Sequence, residues 1–330
     1  MTALDSRPQA GRSLAERLGI DRSVAIAFGC ILVILAGGAL YSREFLSPDY
    51  LLQQLQIGAF LGVVATGAMM VILLGHIDLS IPWVVTLGAM MATAMVGWGG
   101  AAGPVLAIPF GILCGAAVGL LNGLGVAYLR LPSMIFTLGM NAVVQGLMIL
   151  HTGGSAPQDQ ATPAMHFIAV QRTILGIPNA LIVWAIVGAL VIFLLKRTAF
   201  GRNVYAMGNR EAAAYLSGVS TNRVLIICFM ISGALAAFAG VLLAGYSNKA
   251  YQNMGDAYLL PAIAAVVLGG TNILGGRGNY LGTIAGVILI TLLQSILSVT
   301  QMPEAGRQII YGVVIIAMLL IYGRGARTRV

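Results

Sequence analysis

The sequence predicts an all-α integral membrane protein whose chain crosses the bilayer about ten times. Three observations predict this class. Of its 330 residues, 59% are hydrophobic and only 8% are charged, whereas about a quarter of the residues in a soluble domain carry a charge. Apolar stretches long enough for a spanning helix recur along the chain. Most lysines and arginines fall on one side of the resulting topology.

Ten apolar stretches of roughly 20 residues each are predicted to span the bilayer. In chain order they are Val24–Tyr41, Leu51–Leu74, Leu79–Val96, Val105–Tyr128, Met134–Leu150, Leu181–Leu195, Val224–Tyr246, Leu259–Leu274, Tyr280–Val299 and Ile309–Tyr322. Glycine is expected to break the helices near Gly75 and at Gly269–Gly278. The longest segment between spans on the side of the termini is the loop at 196–223.

The distribution of positive charge orients the predicted spans. An even number of spans places both ends of the chain on one side, and fourteen of the 18 lysines and arginines share that side. The remaining four are Arg43, Arg172, Lys249 and Arg307. The positive-inside rule therefore predicts a transmembrane domain at 24–322 between cytoplasmic tails at 1–23 and 323–330. The net charge of +8 then reflects topology, and no nucleic-acid partner is predicted.

Motifs for nucleotide binding, metal binding and nucleophilic catalysis are missing from the sequence. A phosphate loop GxxxxGK[ST] needs a lysine, and neither Lys196 nor Lys249 lies in such a loop. The run GGTNILGGRGNYLG has no lysine and is interpreted as close helix packing. The three histidines form no HExxH pattern. We therefore expect no catalytic residue, no metal site and no cofactor bound by this chain.

Two series of glycines recur at four-residue spacing. They are Gly111, Gly115, Gly119 and Gly123 in the fourth span, and Gly278, Gly282 and Gly286 at the ninth. Residues four apart lie on one face of a helix. Because glycine has no side chain, a second backbone can approach such a face closely. Both series are predicted to be helix-packing surfaces.

The loop at 196–223 is predicted to carry one short helix, Glu211–Ser217. Asn209 is placed to cap its start, Glu211 lies in the first turn, where the helix dipole favours an acid, and Gly218 is placed to end it. Such a helix is equally consistent with a docking site for another protein and with a surface helix that has no partner.

The stretch GHIDLS places polar residues in apolar surroundings, and two compatible interpretations remain open. In the first, Gly75 ends the second span, Asp78 or Ser80 caps the third, and Pro82 lies in its first turn, all near the cytoplasmic side. In the second, His76, Asp78 and Ser80 line the path or gate of a transported solute, since broken transporter helices expose polar groups to a cavity.

Two further observations concern a possible path. Asn141 and Gln145 lie four apart on one helix face, and their amides can both donate to and accept from hydroxyl groups. VILLGHIDLS (Val71–Ser80) and VVLGGTNIL (Val266–Leu274) both place an apolar run before a break that contains glycine. Transporters often hold such breaks at corresponding positions of two halves.

Four ordered motifs resemble those of permease subunits from bacterial ABC importers for simple sugars, the ribose/xylose type. They are GHIDLS, LPSMIFTLG, GRNVYAMGNREAAAYLSG and LGGTNILGGRGNYLGT, and the resemblance covers about Val24 to Tyr322. The chain departs from the family at four positions, which puts the identity of the cargo in doubt. His76 and Pro82 stand where glycine is usual or frequent, Gly208 is single where two glycines are common, and Gln145 occupies a place often held by arginine.

The resemblance implies a function and a set of partners. The chain would be a permease of the bacterial inner membrane that imports a monosaccharide or related small polar solute. It would pair with a second copy or a homologue, bind two cytoplasmic ATPase subunits that carry ATP and magnesium, and receive its cargo from a periplasmic binding protein. The residues that would couple to the ATPase are Asn209, Arg210, Glu211, Ala212, Ala213, Ser217 and Gly218.

Two alternatives stay open beside that expectation. In one, an importer of the same class carries a nucleoside, a signalling furanose or an amino acid. In the other, the chain is a self-contained secondary transporter that uses His76 and Asp78 as a proton relay, because ionisable residues within a membrane span are often functional.

Overall fold

The chain folds almost entirely into helices that run between the two ends of a bundle. The computed structural model describes residues 22–41, 43–299, 301–303, 305–313 and 316. The helices are α1 (Arg22–Tyr41), α2 (Pro48–Ile72), α3 (Ile81–Trp98), α4 (Gly103–Leu129), α5 (Ser133–Thr152), α6 (Pro163–Val170), α7 (Asn179–Arg197), α8 (Ala199–Asn209), α9 (Glu211–Leu216), α10 (Thr221–Ser247), α11 (Leu259–Leu268) and α12 (Tyr280–Val299). A small antiparallel hairpin, β1 (Arg172–Ile174) and β2 (Ile177–Pro178), lies between α6 and α7.

The prediction of an all-α membrane protein is confirmed. In the described part of the chain, seven helices are long and apolar enough to cross a membrane, namely α2, α3, α4, α5, α7, α10 and α12. Two shorter apolar helices, Ala27–Leu40 and Asp256–Leu268, fall in the predicted first and eighth spans. The predicted tenth span, Ile309–Tyr322, lies mostly outside the described residues, as do the predicted tails at 1–23 and 323–330.

The two ends of the bundle differ in charge. One end, termed the basic end, carries Arg130, Lys196, Arg197, Arg202, Arg210, Arg223 and Arg277, together with α8 and α9. The other, termed the hairpin end, carries the β-hairpin and the short helix α6. Neither the hairpin nor α6 was predicted, because both are too short for a hydrophobic period to identify.

The helices differ strongly in how much of their surface the fold covers. In α2, every residue from Gly58 to Ile72 is buried. In α5, only Ser133, Thr137, Val144 and Met148 are buried. These four positions follow a narrow stripe of helical spacing, so α5 lies at the edge of the bundle with most of its surface uncovered.

The glycines of the fourth span lie against α10. A Cβ atom added at Gly115 would overlap Gly233 and Ala237, and one added at Gly119 would overlap the backbone of Phe229. Further along, Gly123 faces Ile226, while Gly111 lies between Gly88 of α3 and Val241 of α10. The α10 numbers rise as the α4 numbers fall, so the two helices are antiparallel and in close backbone contact.

The second glycine series packs on α11 and its end. Added Cβ atoms would bring Gly282 into overlap with Gly269 and Gly286 into overlap with Ala265. Gly278 precedes α12 and faces the side chain of Thr271. The eighth predicted span is too long, because α11 ends at Leu268 and not at Leu274.

The loop at 196–223 contains two helices where the sequence predicted one. Asn209 does not cap α9, so that prediction is wrong: Asn209 is the last residue of α8, and Arg210 occupies the N-cap position without a side-chain capping bond. The predicted end is confirmed. Gly218 has a φ of +84°, and the N–H of Val219 donates to the carbonyl of Ala214 over 3.0 Å, a Schellman termination.

Candidate functional site

Helices α2 and α11 end in the same way at the basic end. Gly75 after α2 has a φ of +80°, and Gly270 after α11 has a φ of +88°. In each case the residue after the glycine donates its N–H to a carbonyl five residues earlier, closing a Schellman motif. These bonds run from His76 to Val71 and from Thr271 to Val266, each over 3.2 Å. The similarity between the stretches Val71–Ser80 and Val266–Leu274 therefore corresponds to the same backbone conformation at the two helix ends.

The two helix breaks contact each other. The N–H of Gly276, in the second break, donates to the carbonyl of Leu73 over 2.9 Å. The side-chain amide of Asn209 then donates to the carbonyl of Gly276 over 3.4 Å. The end of α8 is thereby bonded to the second break, and the second break to the first.

Gly208, next to the end of α8, completes this contact. A Cβ atom added there would overlap both the carbonyl oxygen of Leu73 and the backbone of Gly276. Only glycine lets the helix approach both breaks so closely. Leu73, Gly208 and Gly276 are termed the break junction. One turn earlier in α8, the hydroxyl of Tyr205 donates to the carbonyl of Gly278 over 3.0 Å, which adds a second bond between α8 and this region.

Helix α9 projects from the break junction into solvent. Between Asn209 and Gly218, Ala214 is the one buried residue, and Leu216 is 85% exposed. Helix α8, by contrast, is anchored, with Gly201, Val204 and Met207 buried along one side. A single residue, Arg210, separates the anchored helix from the exposed one. A protein that pushed on α9 would therefore push on α8 and on both breaks.

After Gly75 the first break turns back into the bundle as an extended segment along α5. Three side chains of α5, spaced four apart, accept hydrogen bonds from amides of this segment and of the first turn of α3. The bonds run from Ile77 to Ser133 (3.4 Å), from Leu79 to Thr137 (2.9 Å) and from Trp83 to Asn141 (3.2 Å). The step from Ser133 to Thr137 rises about 6 Å, close to the rise of two extended residues. The step from Thr137 to Asn141 is matched by four residues that enter α3.

This bonding places the start of α3 in the middle of the bundle. Asn141, which holds the amide of Trp83, is the ninth of the 20 residues of α5. Gly75 lies at the basic end, whereas Asp78 and Ser80 lie further inside the bundle, beside the first two turns of α5. Counting charges in the sequence cannot detect a segment that re-enters the bundle.

Asp78 forms the centre of a buried polar cluster. Asp78 is buried, with only 3% of its surface exposed. One carboxylate oxygen accepts from the amide of Ser80 (3.0 Å) and from its hydroxyl (2.6 Å), and the other accepts from the hydroxyl of Ser232 in α10 (3.0 Å). Asn122 of α4 donates to the hydroxyl of Ser80 over 2.8 Å. The cluster therefore bonds the re-entrant segment to two neighbouring helices.

The capping interpretation of this stretch is partly wrong. Ser80 does occupy the N-cap position of α3, but its side chain forms no capping bond because its hydroxyl donates to Asp78. The prediction that Pro82 lies in the first turn is confirmed. Asp78 caps the amide of Ser80 and not one within the helix.

His76 faces a different environment from Asp78. It lines a cavity of about 880 Å³ at the basic end, together with Arg130, Glu211 and Arg223. Burial lowers the pKa of His76, and the nearby carboxylate of Glu211 partly opposes this change. The imidazole is thus mainly neutral at pH 7. His76 borders α9, whereas Asp78 is enclosed by hydroxyl donors, so the fold does not arrange the two as a bonded relay pair.

Of the two candidates on α5, Asn141 has a structural bond and Gln145 is half-buried one turn further along. Ser133, Thr137 and Ser232 were missed by sequence reasoning, and Gly208 was noted only as a departure from the family's motif. The four-residue spacing of Ser133, Thr137 and Asn141 was a visible signal for a polar helix face. Ser232 had no local signal, because its partner lies far away in the sequence.

The chain is similar to known permeases over most of its length. The family described as branched-chain amino acid transport system / permease component matches residues 50–319. The ribose import permease protein RbsC of Bacillus subtilis is 35% identical, over 88% of this chain and 89% of that protein. RbsC of Escherichia coli K12 is 32% identical, over 88% and 91%. The autoinducer 2 import system permease protein LsrC of Salmonella typhi is 34% identical, over 92% and 86%. No solved structure matches the chain.

Proposed function

The chain belongs to the branched-chain amino acid transport system / permease component family, and from this we propose that it is the permease subunit of an ATP-driven, binding-protein-dependent importer of a monosaccharide or related small polar solute. Curated relatives named for ribose and for autoinducer 2 are almost equally similar, at 35% and 34% identity. The proposal therefore names the class of solute and not one sugar.

The observation that carries the proposal is the connection from α9 to both helix breaks. An exposed two-turn helix, anchored through α8 at the break junction, is what a permease needs if an ATPase drives it from outside. The residues proposed to contact the ATPase are Asn209, Arg210, Glu211, Ala212, Ala213, Ser217 and Gly218. ATP and magnesium would be bound by that separate subunit.

The proposal also includes an orientation and further partners. The basic end would face the cytoplasm by the positive-inside rule, which puts α9 on the side where ATP is available. The hairpin end would face a periplasmic binding protein. The sparsely buried helix α5 would face a second copy or a homologue, with the solute path between the two and Gln145 on that path. His76, Asp78, Ser80 and Asn141 would border the path or support its wall.

The proton-relay alternative is less well supported. Both carboxylate oxygens of Asp78 already accept hydrogen bonds from serine groups, and His76 faces the cavity beside Glu211. A relay would need the two side chains to exchange a proton directly or through ordered water.

The test is an Ala213→Arg substitution on α9, with Ala206→Arg on α8 as the matched control, since both alanines are exposed. Co-purification of an ATPase subunit and ATP-driven uptake of radiolabelled D-ribose are measured in membrane vesicles. We expect Ala213→Arg to lose about tenfold in ATPase association, which corresponds to roughly 1.4 kcal/mol, and the control to retain it. Undiminished association, or uptake driven by a pH gradient without ATP, contradicts the proposal.

A further inference from the structure

The chain re-enters the bundle a second time, after α10. Helix α10 ends at Ser247 at the hairpin end, and the following residues Ala250, Met254 and Gly255 are buried. The amide of Gly255 donates to the hydroxyl of Thr86, in the second turn of α3, over 3.2 Å. Because the first turn of α3 lies at the level of Asn141, this contact lies inside the bundle and not at its surface.

Helix α11 begins from this internal position. A single 3-10 turn, Asp256–Tyr258, leads directly into it. The ten residues of α11 rise about 15 Å, which takes the chain from the middle of the bundle to the break at Gly270. Two helices, α3 and α11, therefore start side by side at mid-depth and run toward opposite ends.

A cavity of about 260 Å³ lies where these two helices start. It is termed the mid-bundle cavity. Its lining combines apolar surface with three polar side chains, and it consists of Pro82, Asp256, Ala257, Leu259, Leu260, Pro261, Gln308 and Tyr311. Tyr311 is buried, whereas Asp256 and Gln308 are exposed on the surface of the isolated chain.

The exposure of Asp256 at this depth needs an explanation. A carboxylate inside a membrane span almost always faces a water-filled cavity or another protein, because contact with lipid is costly. Its position in the turn that opens α11, beside the start of α3, suits a negative charge because the amino ends of helices carry partial positive charge. Asp256 therefore combines a favourable position for a negative charge with a place in the lining of the mid-bundle cavity.

We propose that the mid-bundle cavity is a water-filled section of the solute path, and that Asp256 and Gln308 hydrogen-bond the hydroxyl groups of a small polyhydroxylated solute as it passes. A carboxylate accepts from two hydroxyls, and an amide both donates and accepts. The small volume suits a monosaccharide, since pockets for drug-sized ligands are about 300–1,000 Å³. Pro82 and Leu260 supply apolar surface for its C–H groups. This inference rests on the proposed import function.

Water access is tested by thiol labelling of Asp256→Cys in the intact importer in lipid nanodiscs, with Cys30, Cys114 and Cys228 replaced by alanine. The probe is a permanently charged methanethiosulfonate, which reacts in water and not in lipid. Asp49→Cys, whose native side chain is 92% exposed at the hairpin end, is the accessible control. Leu190→Cys is the control for a lipid-facing site, because Leu190 is 63% exposed within α7.

We expect Asp256→Cys to react nearly as fast as Asp49→Cys, and Leu190→Cys to remain unmodified. A rate for Asp256→Cys as low as that for Leu190→Cys overturns the water-filled cavity. This measurement requires no knowledge of the cargo, so its failure is separate from a failure of the proposed function.

Solute contact is tested by uptake of radiolabelled D-ribose with Asp256→Leu and Gln308→Leu, and with Leu190→Ala on the exposed side of α7 as the control. We expect each cavity variant to lose about tenfold in uptake, equivalent to roughly 1.4 kcal/mol, while ATPase co-purification stays unchanged. Wild-type uptake by both cavity variants overturns the proposed contact. If the unmodified importer moves no D-ribose or D-xylose, sugar as the cargo is overturned, and the labelling result still decides the cavity.

Discussion

The two helix breaks begin alike and then diverge. Both close with a glycine at positive φ and the same hydrogen bond. The second break stays at the basic end as a compact turn, in which Asn272 donates to the carbonyl of Arg277 over 2.8 Å. The first continues as an extended segment into the middle of the bundle and is held there by side chains of α4, α5 and α10.

The difference follows from where each segment finds partners for its backbone. The second break bonds to itself and to Leu73, so it needs few side chains and many glycines. The first enters an apolar interior, where an amide without a partner is costly. It is therefore accompanied by Asp78 and by serine, threonine and asparagine from neighbouring helices. One break forms a docking surface for α8, and the other forms a polar wall.

The largest expected effect is that of Asp78→Leu, which removes the acceptor that holds the first break. Ser80 and Ser232 would each be left with a buried donor, and we expect a loss of about 3 kcal/mol in the free energy of unfolding. The measurement is thermal unfolding in detergent, followed by tryptophan fluorescence. Asp159→Leu, in an exposed loop, is the control and should leave the transition unchanged. Equal stability of the two variants would refute the structural role of the cluster.

An intermediate effect is expected from Gly208→Ala, which acts at the break junction and leaves the polar cluster around Asp78 in place. The added methyl group would overlap Leu73 and Gly276, and forced repacking of this kind costs about 2 kcal/mol. We expect ATP-driven uptake to fall more than the unfolding temperature, because the helix pair α8–α9 moves away from the breaks.

The matched control for that substitution is Gly29→Ala. Gly29 lies in helix α1, and an added Cβ atom there meets nothing within 4 Å. If both variants transport equally well, close approach at Gly208 is not required for coupling.

The smallest effect is expected from Thr137→Val, which removes one bond between α5 and the first break. The hydroxyl of Thr137 accepts from the amide of Leu79 and also donates to a carbonyl of its own helix. Hydrogen bonds between membrane helices contribute about 1 kcal/mol. Thr93→Val is the control, since buried Thr93 bonds only to carbonyls of its own helix. The unfolding temperature of both variants is measured. A decrease for Thr137→Val alone supports the bonding along α5, and equal decreases for the two variants argue against it.

The sequence by itself determined the membrane class, the approximate spans, both glycine breaks and the family, because each depends on a local signal. Apolar stretches of fixed length identify helices, and a glycine followed by polar residues identifies a break. The end of α9 at Gly218 was predictable for the same reason. The start of α9 was not, because Asn209 bonds to Gly276, 67 residues away.

Only the tertiary structure decided where the polar residues lie. Asp78, Ser232 and Asn122 have no common local pattern, and they meet because three separate segments cross at one point. The depth of Asp256 depends likewise on a segment that re-enters from the hairpin end and contacts Thr86. Hydrophobic burial sets which stretches become helices, but the pairing of buried polar groups depends on which segments the packing brings together.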